Sequence, residues 1–274
     1  MELGVIIILR PESIDEDFKK LADRGFTTCQ LNCWRPAILT EELAKKVKAA
    51  SEKYAVKITA VWCGWSGACV WDFYSGPHTL GLVPEEYRQM RILELKKGSD
   101  FTKWLGVEDI ITHVGFIPEV PTSTEYQQLV CAMRDLANYV KNNGQYFLFE
   151  TGQETPVTLR RIIEDIGTGN LGINLDPANL ILYGKANPVD ALDVFGEYVR
   201  GVHGKDGLYP TNGKDLGAET KVGEGKVNYP VFIKRLKEVG YNGAITIERE
   251  ISGEQQDKDI METKTYLEQL INEA

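Results

Sequence analysis

The chain is poor in the features that mark several large classes of protein. It has no long apolar run: the stretch "LGVIIIL" near its start is too short to span a bilayer, and its charge, Arg10, follows rather than precedes it. That stretch reads as a first strand, not as a signal peptide. Positive charge is also in deficit, with 31 Lys and Arg against 40 Asp and Glu, a net charge of −9. Nucleic acids and anionic membranes both reward a concentrated basic face, so neither is expected as a partner. Cysteine is sparse and unpatterned. Cys29, Cys33, Cys63, Cys69 and Cys131 are odd in number and contain no C-x-x-C pair. This gives no zinc-knuckle spacing and favours buried free thiols in a reducing, cytoplasmic setting.

What the chain does have is one repeated pattern. Apolar, β-rich runs alternate with amphipathic helical stretches, and no low-complexity linker intervenes. The runs are "GVIIIL" (4–9), "TCQLNCW" (28–34), "KITAVWC" (57–63), "DIITHVGF" (109–116), "QYFLFE" (145–150), "LGINLD" (171–176), "VRGVHGKD" (199–206) and "GAITIERE" (243–250). Helical stretches between them include "SIDEDFKKLADRG" and "TEELAKKVKAASEKY", and Gly25, Gly144, Gly167 and Gly240 fall at C-cap positions. Near-continuous apolar strands covered by helices form a parallel sheet. Eight such units in 274 residues match a closed (β/α)8 TIM barrel, taken as a single domain over 1–274. A doubly wound open sheet would want a glycine-rich phosphate loop after the first strand, where "ILRPES" stands instead. The connections after strands 3 and 7 are long, and the first is dense in Trp65, Trp71, Phe73 and Tyr74. Such loops sit on the catalytic rim of this fold and suit a lid, with Trp65 as a substrate contact.

Chemistry in such a barrel lies at the C-terminal ends of the strands. Those ends carry His113 on strand 4, Glu150 on strand 5, Asp176 on strand 6, His203 on strand 7 and Glu248 on strand 8. The last four lie on consecutive strands and should converge. Three carboxylates cannot share a desolvated pocket unless a cation neutralises them. One divalent metal ion held by Glu150, Asp176, His203 and Glu248 meets that requirement. Oxygen-rich ligation with one imidazole favours Mn²⁺, then Mg²⁺, and is compatible with Co²⁺ or Zn²⁺. His113 is read as a substrate contact at the mouth, and His78 as a surface residue.

With these residues in place the chain resembles the xylose isomerase-like superfamily, and within it the sugar phosphate isomerase/epimerase branch that includes ketose 3-epimerases. The resemblance is carried by "FLFETGQETP", "GINLDPANLILYG", "VHGKDG", "VGEGKVNYPVFIKRLKEVGYNG" and "ITIERE", and it spans essentially the whole chain. It implies a metal-dependent isomerase or epimerase that acts on a small keto-sugar, polyol or sugar acid through an enediolate. By position the two proton-transferring carboxylates are Glu150 and Glu248. Asn179 stands where the epimerases place a sugar-orienting histidine, and Tyr209 where they place an arginine. Lys205 and Arg249 are candidate contacts for an acidic or phosphorylated substrate. The same site could serve an inosose-type dehydratase, or survive in a barrel that binds metal and sugar without turnover. The endonuclease IV branch is excluded, since its three-zinc cluster needs more imidazoles than His78, His113 and His203 provide. An acidic barrel with an aromatic loop is also compatible with homo-oligomerisation.

Overall fold

The computed structural model describes residues 1–274. Eight parallel strands close into a barrel: β1 (Glu2–Ile8), β2 (Thr28–Cys33), β3 (Lys57–Cys63), β4 (Asp109–Thr112), β5 (Tyr146–Glu150), β6 (Leu171–Leu175), β7 (Val199–Gly204) and β10 (Ala244–Ile247). Around the ring β1 pairs with β2 on one side and with β10 on the other. Two further strands, β8 (Asp206–Gly207) and β9 (Glu219–Thr220), make a small antiparallel ribbon in the connection after β7. The outer layer is α1 (Ile14–Asp23), α2 (Glu41–Tyr54), α4 (Glu85–Leu105), α5 (Thr124–Asn142), α6 (Pro156–Ile166), α8 (Pro188–Phe195), α9 (Tyr229–Glu238) and α10 (Glu254–Glu273). Two short helices, α3 (Gly76–Thr79) and α7 (Pro177–Leu182), lie in rim connections. No helix is long and apolar enough to cross a membrane.

Local chemistry explains where the elements stop. Thr155 caps α6 by accepting the Thr158 N–H, and Pro156 opens the helix where a missing N–H costs nothing. Gly25, Gly144, Gly167 and Gly240 take left-handed φ of +73°, +76°, +66° and +84° at the helix ends. β4 is shorter than its apolar run suggests and ends at Thr112, so His113 stands just past the strand. Glu248 and Arg249 likewise fall past the end of β10.

The core divides into two. One large cluster lies between the strands and the helices, and a small one fills the lumen with Ala60, Trp62, Ile111 and Leu148. Above it the lumen becomes polar, with Gln30, Asn174 and His203 joined by hydrogen bonds. Asn174 pairs with Gly201 after a register shift between β6 and β7, and a Cβ on Gly201 would overlap the Asn174 side-chain oxygen. Three of the five cysteines are buried, Cys69 is half-buried, Cys131 is exposed and none is paired.

The long connection after β3 is organised by one buried cation. Arg91 of α4 lies between the rings of Trp65 and Tyr87, 4.2 and 4.4 Å from their centroids. Its guanidinium donates to the carbonyls of Ser66, Ala68, Thr79 and Gly81. Arg91→Met should leave those carbonyls without a partner. A loss of about 2–4 kcal/mol in urea denaturation is expected, with a change in near-ultraviolet tryptophan dichroism. A loss under about 0.5 kcal/mol would mean that the connection is ordered by other contacts.

Candidate metal and substrate site

Four side chains from four consecutive strands meet at the C-terminal mouth of the barrel. Glu150 is the last residue of β5, His203 lies on β7, and Asp176 and Glu248 immediately follow β6 and β10. One ligand-type atom from each lies within 4.8 Å of all the others. Three of the four are shut off from solvent, with Glu150, Asp176 and His203 at 3%, 0% and 1% exposed, and Glu248 is half-buried at the cavity wall. His203 Nδ1 lies 3.1 Å from Glu150 Oε1, 3.2 Å from Glu248 Oε2 and 3.4 Å from Asp176 Oδ2. Asp176 divides its two oxygens between two tasks. Oδ1 accepts the Asn179 N–H and caps α7, which leaves Oδ2 for the site.

Polar residues in the lumen orient this group. His203 Nε2 donates to Gln30 Oε1 at 2.7 Å, which leaves Nδ1 directed at the carboxylates. Asn174 Nδ2 donates to Glu150 Oε2 at 2.9 Å, and Gln30 Nε2 donates to Asn174 Oδ1. Neither Gln30 nor Asn174 was expected from the sequence. The available signal was a side-chain amide in the middle of a buried strand run, "TCQLNC" and "LGINL", on positions that face the lumen.

The electrostatics show how strongly the carboxylates call for positive charge. Burial opposes the charge of His203, yet the carboxylates of Glu150 and Glu248 hold its pKa well above the ordinary imidazole range. Lys205 behaves alike: burial works against its charge, while Glu248, Asp176 and Glu250 hold it protonated. Its Nζ lies 3.1 Å from Glu248 and 3.0 Å from Glu250. Burial raises the Glu150 pKa, opposed by His203 and reinforced by the neighbouring Asp176 and Glu248 charges. Glu248 is half-buried, and Lys205 and His203 outweigh the lost solvation and hold its carboxyl far below the usual range. Three carboxylate oxygens and one oriented imidazole nitrogen form a donor set that a hard divalent ion fits.

Above the ligands opens a cavity of about 690 Å³, with Trp34, Trp62, Trp71 and Tyr183 among its walls. His113, Asn179 and Lys205 line it. The His113 imidazole is neutral: burial, then the Lys205 charge, pushes its pKa down to about 3, and Nδ1 lies 3.2 Å from Gln153 Oε1. Trp65 is a correction. It is buried behind the wall, where its indole N–H donates to Thr112 and its face carries Arg91, so the aromatic surface belongs to its neighbours. Arg249 lines the cavity but is committed to Glu219 at 3.0 Å and Asp259 at 2.8 Å, which leaves little of it for a substrate anion. Tyr209 does not reach the cavity; its hydroxyl donates to the Ala186 carbonyl. His78 is exposed on the surface. The connection after β7 folds back because Asp206 accepts the N–H groups of Gly207, Gly223, Gly225 and Val227. That fold places Leu216 on the cavity wall.

The barrel has counterparts among known proteins. A family model described as a xylose isomerase-like TIM barrel matches residues 18–270. The chain belongs to the xylose isomerase-like TIM barrel family. A xylose isomerase domain protein from Planctomyces limnophilus shares 35% identity with this xylose isomerase-like chain over 98% of both, with a TM-score of 0.90. An uncharacterised protein of Methanocaldococcus jannaschii is 27% identical over all of this chain and 91% of its own length. A D-tagatose 3-epimerase-like protein, 23% identical over 100% of this chain and 99% of its own, superposes with a TM-score of 0.75 and shares the fold.

The orientation of His203 by Gln30 can be tested separately from catalysis. Gln30→Leu should keep the far-ultraviolet dichroism of the wild type and weaken Mn²⁺ binding by about 10- to 100-fold in a calorimetric titration. Unchanged affinity would show that Gln30 does not set the imidazole.

Proposed function

We propose that this protein is a divalent-metal-dependent isomerase or epimerase of a small keto-sugar, polyol or sugar acid. One observation carries the reading: three carboxylates and the oriented Nδ1 of His203 converge within 4.8 Å at the base of a tryptophan-walled cavity. Glu150, Asp176, His203 and Glu248 would hold the ion, with Mn²⁺ the first expectation. The ion would polarise a carbonyl and acidify the adjacent C–H bond. The likeness to a D-tagatose 3-epimerase-like protein supports a small sugar as substrate.

The protein's own groups supply the proton traffic. Glu150 and Glu248 face the same space from β5 and the end of β10, but they are held differently. Lys205 touches Glu248 and favours its ionised form, which suits a base. Asn174, a neutral amide, holds Glu150, which suits the group that returns a proton. His113 and Asn179 offer a neutral imidazole and an amide to the substrate's hydroxyl groups, and the tryptophans exclude water from the reacting carbon.

The test separates binding from proton transfer. In D₂O with Mn²⁺, turnover of a keto-sugar should incorporate deuterium at the carbon beside the carbonyl, read by NMR, with substrate mass otherwise conserved. Glu150→Gln and Glu248→Gln should each stay slower by about 10² to 10⁴ even when the metal site is shown to be full. Near-normal rates on adding metal would reduce both to ligands. A product lighter by one water would assign the site to a dehydratase, and ligand binding without exchange would assign it to a silent barrel.

A further inference from the structure

The ring of helices is open at one seam. Each neighbouring pair from α1–α2 round to α9–α10 packs closely, whereas α10 and α1 stand apart. Side chains bridge the gap: Arg24, at the C-cap of α1, grips Asp257 of α10 at 2.8 and 2.9 Å, and Lys20 reaches the same carboxylate at 3.1 Å. The cavity that holds the four ligands continues over the ends of β1 and β10 into this seam. Its wall there includes Val5 and Ile7 of β1, Leu21 of α1, Ile260 of α10 and Phe26 from the connection between α1 and β2. All five belong to the apolar cluster between the strands and the helices. A volume of about 690 Å³ suits a ligand of drug size rather than a single sugar ring.

The floor of the seam is apolar and the cations that bridge it are paired, while Asp17 on its wall accepts the Ser13 hydroxyl. Lys20 and Arg24 are committed to Asp257, Arg249 to Glu219 and Asp259, and Lys205 to Glu248 and Glu250. Only Arg10, exposed on the loop after β1, lines the cavity as a cation without a carboxylate partner. A neutral apolar group finds buried hydrocarbon in the seam and displaces no ion pair.

We propose that the substrate is a keto-sugar that also carries an apolar substituent, such as a glycoside with a keto group on a ring carbon, whose substituent lies in the seam between α1 and α10 while the sugar occupies the mouth. This rests on the reading of the mouth as a sugar site. The seam itself is tested by chain length, using methyl and n-octyl β-D-glucopyranoside below the micelle concentration, titrated calorimetrically into the full chain with Mn²⁺ and again with the metal omitted. The octyl glucoside should bind at least tenfold more tightly than the methyl glucoside under both conditions. Gln256→Trp, on the first turn of α10 and on the cavity wall, should abolish that preference, as should Lys20→Trp from the opposite wall. Asp257→Ala, which unfastens the bridge, should preserve it. Equal binding of the two probes, or an octyl preference that survives both tryptophan variants, would overturn the proposal. So would tighter binding of glucose 6-phosphate that is lost in Arg10→Ala, because the cavity would then recognise an anion. A chain-length preference in a protein that takes up no metal would sink the isomerase reading and leave the seam standing.

Discussion

Three carboxylates brought out of water around one imidazole nitrogen are the constraint on which the rest of the mouth depends. Mutual repulsion and lost solvation make such a group costly on its own. Each neighbouring feature offsets part of that cost. Lys205, buried beside Glu248, contributes a fixed positive charge. Asp176 places one oxygen at the N-terminus of α7, where N–H groups point at it. Asn174 and Gln30 satisfy the outward-facing atoms of Glu150 and His203. What these partners leave over is a concentrated negative site with every ligand already aimed, which is the arrangement that favours a divalent cation.

The two long rim connections follow from the same need to keep the mouth dry and ordered. Each is fixed by one charged side chain that bonds to backbone. Arg91 gathers carbonyls of the connection after β3, and Asp206 gathers N–H groups of the connection after β7. The polarity is reversed and the device is the same: a single ion replaces the ladder that regular structure would supply. Through these two anchors Trp71 and Leu216 reach the cavity wall, so the shape of the cavity depends on Arg91 and Asp206, which do not line it.

The barrel was legible because apolar runs alternate with amphipathic helices, and Glu150, Asp176, His203 and Glu248 are polar residues toward the C-terminal ends of four of those runs. Their convergence needed only the strand order. Gln30 and Asn174 were not legible, since their meaning lies in contacts across the lumen between residues 144 and 173 positions apart in the chain. Trp65 and Arg249 show the opposite limit. An aromatic or a cation at the right end of a strand has two directions to point. Stacking on Arg91 drew one away, and the carboxylates of Glu219 and Asp259 drew away the other. The seam between α10 and α1 leaves no mark in a helical pattern, because the same apolar faces would serve a closed ring.

Anomalous scattering from crystals grown with Mn²⁺ tests the central claim most directly. One peak is predicted among Glu150, Asp176, His203 Nδ1 and Glu248, with His203 Nε2 still donating to Gln30 and Lys205 outside the coordination sphere. The absence of a peak at saturating Mn²⁺, or a peak elsewhere with His203 unliganded, would contradict a metal site at this mouth.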